Sequence, residues 1–84
     1  MVKLVFSSKF EHSSSTLPPR IQERLALQLE LLKINQFDSR LHTKRLAGKL
    51  EGRLSFRITR AWRVTFEFIE PDTVYLLNAL HRKD

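Results

Sequence analysis

After Gly52 the chain alternates apolar and polar residues with a period of two. Leu54, Phe56 and Ile58 interleave with Ser55, Arg57 and Thr59, and Val64, Phe66 and Phe68 with Arg63, Thr65 and Glu67. A strand sends successive side chains to opposite faces, so this pattern predicts two strands with one face buried and the other polar. Such strands pair antiparallel, because parallel sheets are covered on both faces and read as continuous apolar runs. Glu70-Pro71-Asp72-Thr73 is turn chemistry, and the more apolar run Thr73 to His81 completes a three-stranded meander. The rest of the chain has to cover one face of this sheet.

Upstream, Val2 to Phe6 is β-prone, and the polar run Ser7 to Thr16, with four serines between Ser8 and Ser15, reads as a loop. Thr16 suits an N-cap, Pro18 and Pro19 suit a first turn, and Leu17 to about Ile34 predicts a helix. Ile21, Leu25, Leu29 and Leu32 form one apolar stripe on it, and Leu27, Leu31 and Ile34 a second on a neighbouring face. One sheet does not cover both. Either a second short helix around Arg40 to Leu46 packs on the extra stripe, or a partner protein covers it. The expected fold is α+β, in the order β-α-(α)-β-β-β, with helices packed on one antiparallel sheet.

At 84 residues the expectation is a single domain spanning 1–84, with one modest core. The 42% hydrophobic content lies in the globular range. With no cysteine there is neither a disulfide framework nor a Cys-based zinc site, which fits a reducing cytoplasm. No run approaches the roughly 20 apolar residues of a membrane span. Two glycines make no phosphate loop, and His12, His42 and His81 lack metal-ligand spacing, so neither metal nor cofactor is expected.

Charge is the functional signal. Fifteen Lys and Arg against nine Asp and Glu give a net +6, which favours a polyanionic partner. Between Arg40 and Arg63 lie Arg40, Lys44, Arg45, Lys49, Arg53, Arg57, Arg60 and Arg63, with Glu51 the lone acid. A hairpin loop at Thr59 to Ala61 sets Ile58 opposite Trp62 and Arg57 opposite Arg63, and directly opposed like charges weaken a hairpin. An anionic ligand accounts for such a pair. A tight turn at Pro71-Asp72 then pairs Glu70 with Thr73, Arg63 with Leu80 and Ala61 with Arg82. That register gathers Arg57, Arg63 and Arg82 at one sheet end, sends His81 to the opposite side, and puts Val74, Leu76 and Leu80 on the open face; a one-residue change in the loop swaps His81 and Arg82, so the sequence leaves open which of the two joins the arginines. Three guanidiniums suit a phosphodiester, since they stay charged and offer paired donors. RNA cleavage also needs a base for the 2′-OH and an acid for the 5′-oxygen, and His81, His42 and Lys44 are the available groups.

Leu46-Ala47-Gly48-Lys49-Leu50-Glu51-Gly52, Phe56-Arg57-Ile58, Trp62-Arg63-Val64-Thr65-Phe66 and the closing Ala79-Leu80-His81-Arg82-Lys83-Asp84 together resemble the RelE/ParE toxin superfamily. The resemblance implies the toxin half of a type II toxin–antitoxin pair. RelE-like members cut mRNA on the ribosome without a metal, by attack of the 2′-OH on the adjacent phosphate. Carried over by position, Arg57, Arg63, His81 and Arg82 are the catalytic set, with Lys44 an alternative for proton transfer. Lys44, Arg45, Lys49, Arg60 and Lys83 would contact RNA. Leu27, Leu31 and Ile34 would meet the cognate antitoxin, through which any oligomer is expected to form. A gyrase-inhibiting toxin of the ParE kind and a non-catalytic RNA-binding module are the alternatives. Similar toxins often carry a tyrosine shortly after the last strand, and some a lysine pair on the second strand; here Arg82-Lys83-Asp84 and Ser55-Phe56 stand in those regions.

Overall fold

The computed structural model describes residues 1–83; Asp84, which ends the resembling C-terminal run, lies outside the described residues. The elements are β1 (Lys3–Phe6), α1 (Ser8–Ser15), α2 (Pro19–Ile34), β2 (Lys44–Arg45), β3 (Leu54–Arg57), β4 (Trp62–Glu70) and β5 (Thr73–His81). They build one five-stranded sheet of order β1-β5-β4-β3-β2, antiparallel except for β1, which runs parallel to β5. The α+β architecture is as expected. The second helix, however, lies before the long one and not after it.

The serine-rich segment is a helix, not a loop, and the sheet explains why. β1 pairs with β5 only as far as Leu76, and α1 takes over beyond it. The Ser7 hydroxyl accepts from the Phe10 amide as N-cap and donates to the Leu77 carbonyl at 2.9 Å. Ser13 accepts from the Ala79 amide at 2.9 Å. Ser14, Ser15 and Thr16 turn their hydroxyls back on carbonyls three residues earlier. The serines thus satisfy backbone groups that an edge would otherwise leave bare, and Phe10 anchors α1 in the core.

The expected helix around Arg40 to Leu46 is also absent. Ser39–Leu41 forms one 3-10 turn, capped by the Asp38 side chain, and Leu41 is its only buried residue. His42 then adopts the left-handed region (φ 51°), which His tolerates better than most residues, and redirects the chain into β2. There Lys44 and Arg45 pair with Ser55 and Leu54, so ladder hydrogen bonds outweigh helix propensity.

The core lies between the helices and one sheet face: Phe56, Val64, Phe66, Val74, Leu76 and Ala79 from the strands, Leu25 and Leu32 from α2. Each fully buried side chain of this size contributes about 1.5–3 kcal/mol relative to exposure. Both hairpins have the expected pairing at their ends, Arg57 with Arg63 and Glu70 with Thr73. Between them, Phe66 pairs with Leu76 and Phe68 with Val74, because Leu77 and Ile69 are each inserted without a partner. The two irregularities cancel in register but flip the middle of β5. Val74 and Leu76 are therefore completely buried under the helices, not on the open face; Leu80 alone of that trio stays on the open side, half-buried. No described helix is long and apolar enough to cross a membrane.

Candidate nucleic-acid interface

The β3–β4 turn is organised by Thr59, whose hydroxyl accepts from the amides of Ala61 and Trp62 at 3.2 and 3.3 Å. The Ile58 amide donates to the Trp62 carbonyl at 2.8 Å, and from that closure the register follows. Arg57 and Arg63 are opposed on the open face. Beside them runs a polar row in which Lys44, Ser55, Thr65 and Asn78 are successive cross-strand partners.

His42, Lys44, Ser55, Arg57 and Arg63 line a cleft of about 70 Å³. A second cleft of about 170 Å³ shares Ser55 and Arg63, and adds Leu80, His81 and Arg82, with Leu46 and Leu50 lining it from the β2–β3 connection. Both volumes fall below the roughly 300–1,000 Å³ of small-molecule pockets. They suit a single group, such as a phosphate, on a ligand that continues across the surface.

The other expected site residues separate from this centre. His81 pairs with Trp62 and stands edge-on to its indole, ring centroids 4.8 Å apart, while Trp62 packs against the core. Its imidazole Nδ1 accepts from the Lys83 amide at 3.3 Å. His81 thus reaches the second cleft from the far side of the strand end. Arg45 alternates away from Lys44 and lies over the Phe37 ring, 5.5 Å from its centroid. Lys49 is exposed in the 3-10 turn Gly48–Leu50, Arg60 sits at the hairpin tip, and Lys83 follows β5. On α2, Leu27 and Ile34 are 72% and 68% exposed, whereas Leu31 between them is half-buried against the core. The short helix that was to cover this stripe does not exist.

Among the described residues, no acid lines either cleft. Among the described residues, ion pairs join Lys33 to Glu30, Arg53 to Glu67 and Arg40 to Asp38. The Arg40 guanidinium makes two hydrogen bonds to Asp38, at 3.0 and 2.8 Å, its backbone amide adds a third at 2.9 Å, and these hold that carboxyl down at about 2. Arg40 is accordingly a neutralised cation. Arg57 and Arg63 have no such partner among the described residues.

Two positions were invisible to the periodicity argument. Ser55, on the polar face of its strand, is nonetheless buried, and forms the floor common to both clefts. Gln28 lies within the apolar stripe between Leu25 and Leu32 and is buried, its amide donating to the Arg57 carbonyl at 2.6 Å. Arg24, one turn earlier, donates through Nε to the Ile58 carbonyl. A glutamine inside an apolar stripe is the available signal, since a buried amide needs a partner. Together the two side chains fasten α2 to the end of β3.

Neither a family model nor a curated protein matches the sequence. Solved structures do match. The YoeB/ParE toxin from Agrobacterium tumefaciens superposes with a TM-score of 0.81 at 18% identity, covering 96% of this chain and 99% of that one. YafQ from E. coli strain BL21(DE3) gives 0.81 at 11% identity over 99% and 96% of the two chains. A chain of the toxin–antitoxin complex RelBE2 from Mycobacterium tuberculosis gives 0.72 at 24% identity over 96% and 98%. With both partners covered almost end to end, this chain has the same α+β fold as these solved structures.

Proposed function

We propose that this chain is the toxin of a type II toxin–antitoxin pair and that it cleaves mRNA on the ribosome. The observation that carries the reading is the directly opposed pair Arg57 and Arg63, on an open sheet face of a fold otherwise seen in such toxins. Stability alone does not favour that pair. A phosphodiester between the two guanidiniums removes the repulsion and gains paired, charge-assisted hydrogen bonds.

In the proposed reaction the ribose 2′-oxygen attacks the adjacent phosphorus and the bond to the 5′-oxygen breaks. Negative charge builds on the non-bridging oxygens, where Arg57 and Arg63 stabilise it, with Arg82 alongside. The 2′-OH proton must leave and the 5′-oxygen must receive one. His42 and Lys44 line the cleft with the arginine pair, and His81 reaches the adjoining one beside Arg82. Acid and base are drawn from these three. An acidic antitoxin, acting in the same cytoplasm, would cover the basic face and the exposed Leu27 and Ile34.

Induction of the chain in cells tests the reading. Translation should stop and mRNAs should carry new 5′ ends at ribosome positions, with a 2′,3′-cyclic phosphate on the upstream fragments. Full toxicity of Arg63→Ala would overturn the assigned site. Intact mRNA with trapped gyrase–DNA breaks would replace the endonuclease by a gyrase inhibitor.

A further inference from the structure

On the other side of the hairpin end lies a cleft that the proposed reaction does not use. Arg24, Arg57 and Arg60 line it together with Arg40 and His42, in a volume of about 160 Å³. It adjoins the first cleft directly, because Arg57 and His42 line both. The three arginines arrive from three elements: Arg24 from α2, Arg57 from the end of β3, and Arg60 from the turn that follows. Arg40 is spoken for by Asp38, and the described residues contain no ion pair to Arg24, Arg57 or Arg60. Glu23, the nearest acid along α2, lines the adjoining groove and not this cleft.

The Arg24 side chain, exposed on α2, is tethered at one point. Its Nε is committed to the Ile58 carbonyl, and Gln28 fixes the neighbouring Arg57 carbonyl. The two Nη groups remain as donors on a guanidinium tethered through Nε. Such an arm offers a planar fork to an oxyanion with little further loss of side-chain freedom. A volume this small excludes a nucleoside but accommodates one phosphate group of a longer chain.

We infer that Arg24 and Arg60, with Arg57 and His42, form a second phosphate site, which takes the RNA backbone phosphate next to the one held between Arg57 and Arg63. The strand then crosses the rim of the β3–β4 hairpin, and Arg57 is the residue common to both phosphates. This rests on the proposed RNA reading and deepens it: Arg24 binds and positions the substrate strand and takes no part in bond breaking.

Binding of unreactive 2′-O-methyl oligoribonucleotides tests the inference by salt titration, using a dinucleotide with one phosphate and a tetranucleotide with three. Each phosphate contact on a single strand contributes about 0.7 to the slope of log K against log salt. Arg24→Ala should flatten the tetranucleotide slope by about that amount, a loss of about fivefold in affinity at 0.1 M salt, and leave the dinucleotide unchanged. Arg24→Lys should restore the slope, which a purely structural role at Ile58 would not do. Lys9→Ala, exposed on α1, serves as the charge control. Equal effects of Arg24→Ala and Lys9→Ala, or an equal loss on both oligonucleotides, would overturn the second site while the Arg57–Arg63 reading stands. An Arg24 effect confined to the tetranucleotide, with Arg63→Ala silent on both, would support the second site and sink the first.

Discussion

The two faces of the sheet are built from alternate residues of the same strands, yet they answer to different physics. Phe56, Val64 and Phe66 lie under the helices, completely or almost completely buried. Arg57 and Arg63, one position away along the chain, are opposed on the open face with like charge against like charge. The first face is arranged for burial. The second carries a pairing that burial and stability do not explain, and it is there that the two clefts form. Because the period is two, a substitution on one face scarcely touches the other, and the division can be tested one residue at a time.

The largest effect is expected on the covered face. Phe66→Ala removes a buried ring and should cost about 3–5 kcal/mol in chemical denaturation. RNA cleavage per folded molecule should be kept. Next comes the open face: Arg63→Ala should lower the cleavage rate about 10²–10³-fold, as for loss of one transition-state donor, with a thermal midpoint no lower than that of the unmodified chain. A large drop in that midpoint would mean that Arg63 belongs to the fold and that the two faces are not independent.

A smaller change concerns the stripe on α2. Leu27→Glu should move stability by less than about 0.5 kcal/mol, since Leu27 is exposed. It should weaken calorimetric binding of an acidic antitoxin by about 1–2 kcal/mol. Below that stands relief of repulsion: Arg57→Gln should raise stability at low salt by up to about 1 kcal/mol, a gain that fades as salt screens the pair. The least effect is expected from Asp38, whose folded carboxyl is held at about 2 by hydrogen bonds from Arg40. Its folded value is depressed, so its contribution is complete above the ordinary carboxylate value near 3.8 and is lost as pH falls toward 2. Acid titration of Asp38→Asn should lack that component.

The strands of the meander, the hairpin closure at Ile58 and Trp62 and the Arg57–Arg63 pairing were all legible in the alternation and the turn residues, whereas the choice between His81 and Arg82 at the strand end was not. These are local: a turn of given length joins a fixed register, and period two does the rest. The serine run was misread because hydroxyls favour loops when considered alone. Its helical state depends on the bare edge of β5, 66 to 70 residues away in the chain, which Ser7 and Ser13 satisfy. The Arg40 to Leu46 segment was misread for a similar reason, since its extended part is stabilised by β3.

The candidate site divides in the same way. Residue type and strand register determined that two arginines would oppose each other. Only the tertiary structure decided what stands around them: His42, through a left-handed backbone, and Lys44, through pairing with Ser55, enter the cleft, while Arg45 turns away to Phe37. Arg24 reaches the hairpin because α2 packs where it does. Alternation along a strand is a property of the backbone and can be read from one segment. Which segments meet is set by burial and by the pairing of backbone groups across the whole chain, and these become definite only once the chain has closed on itself.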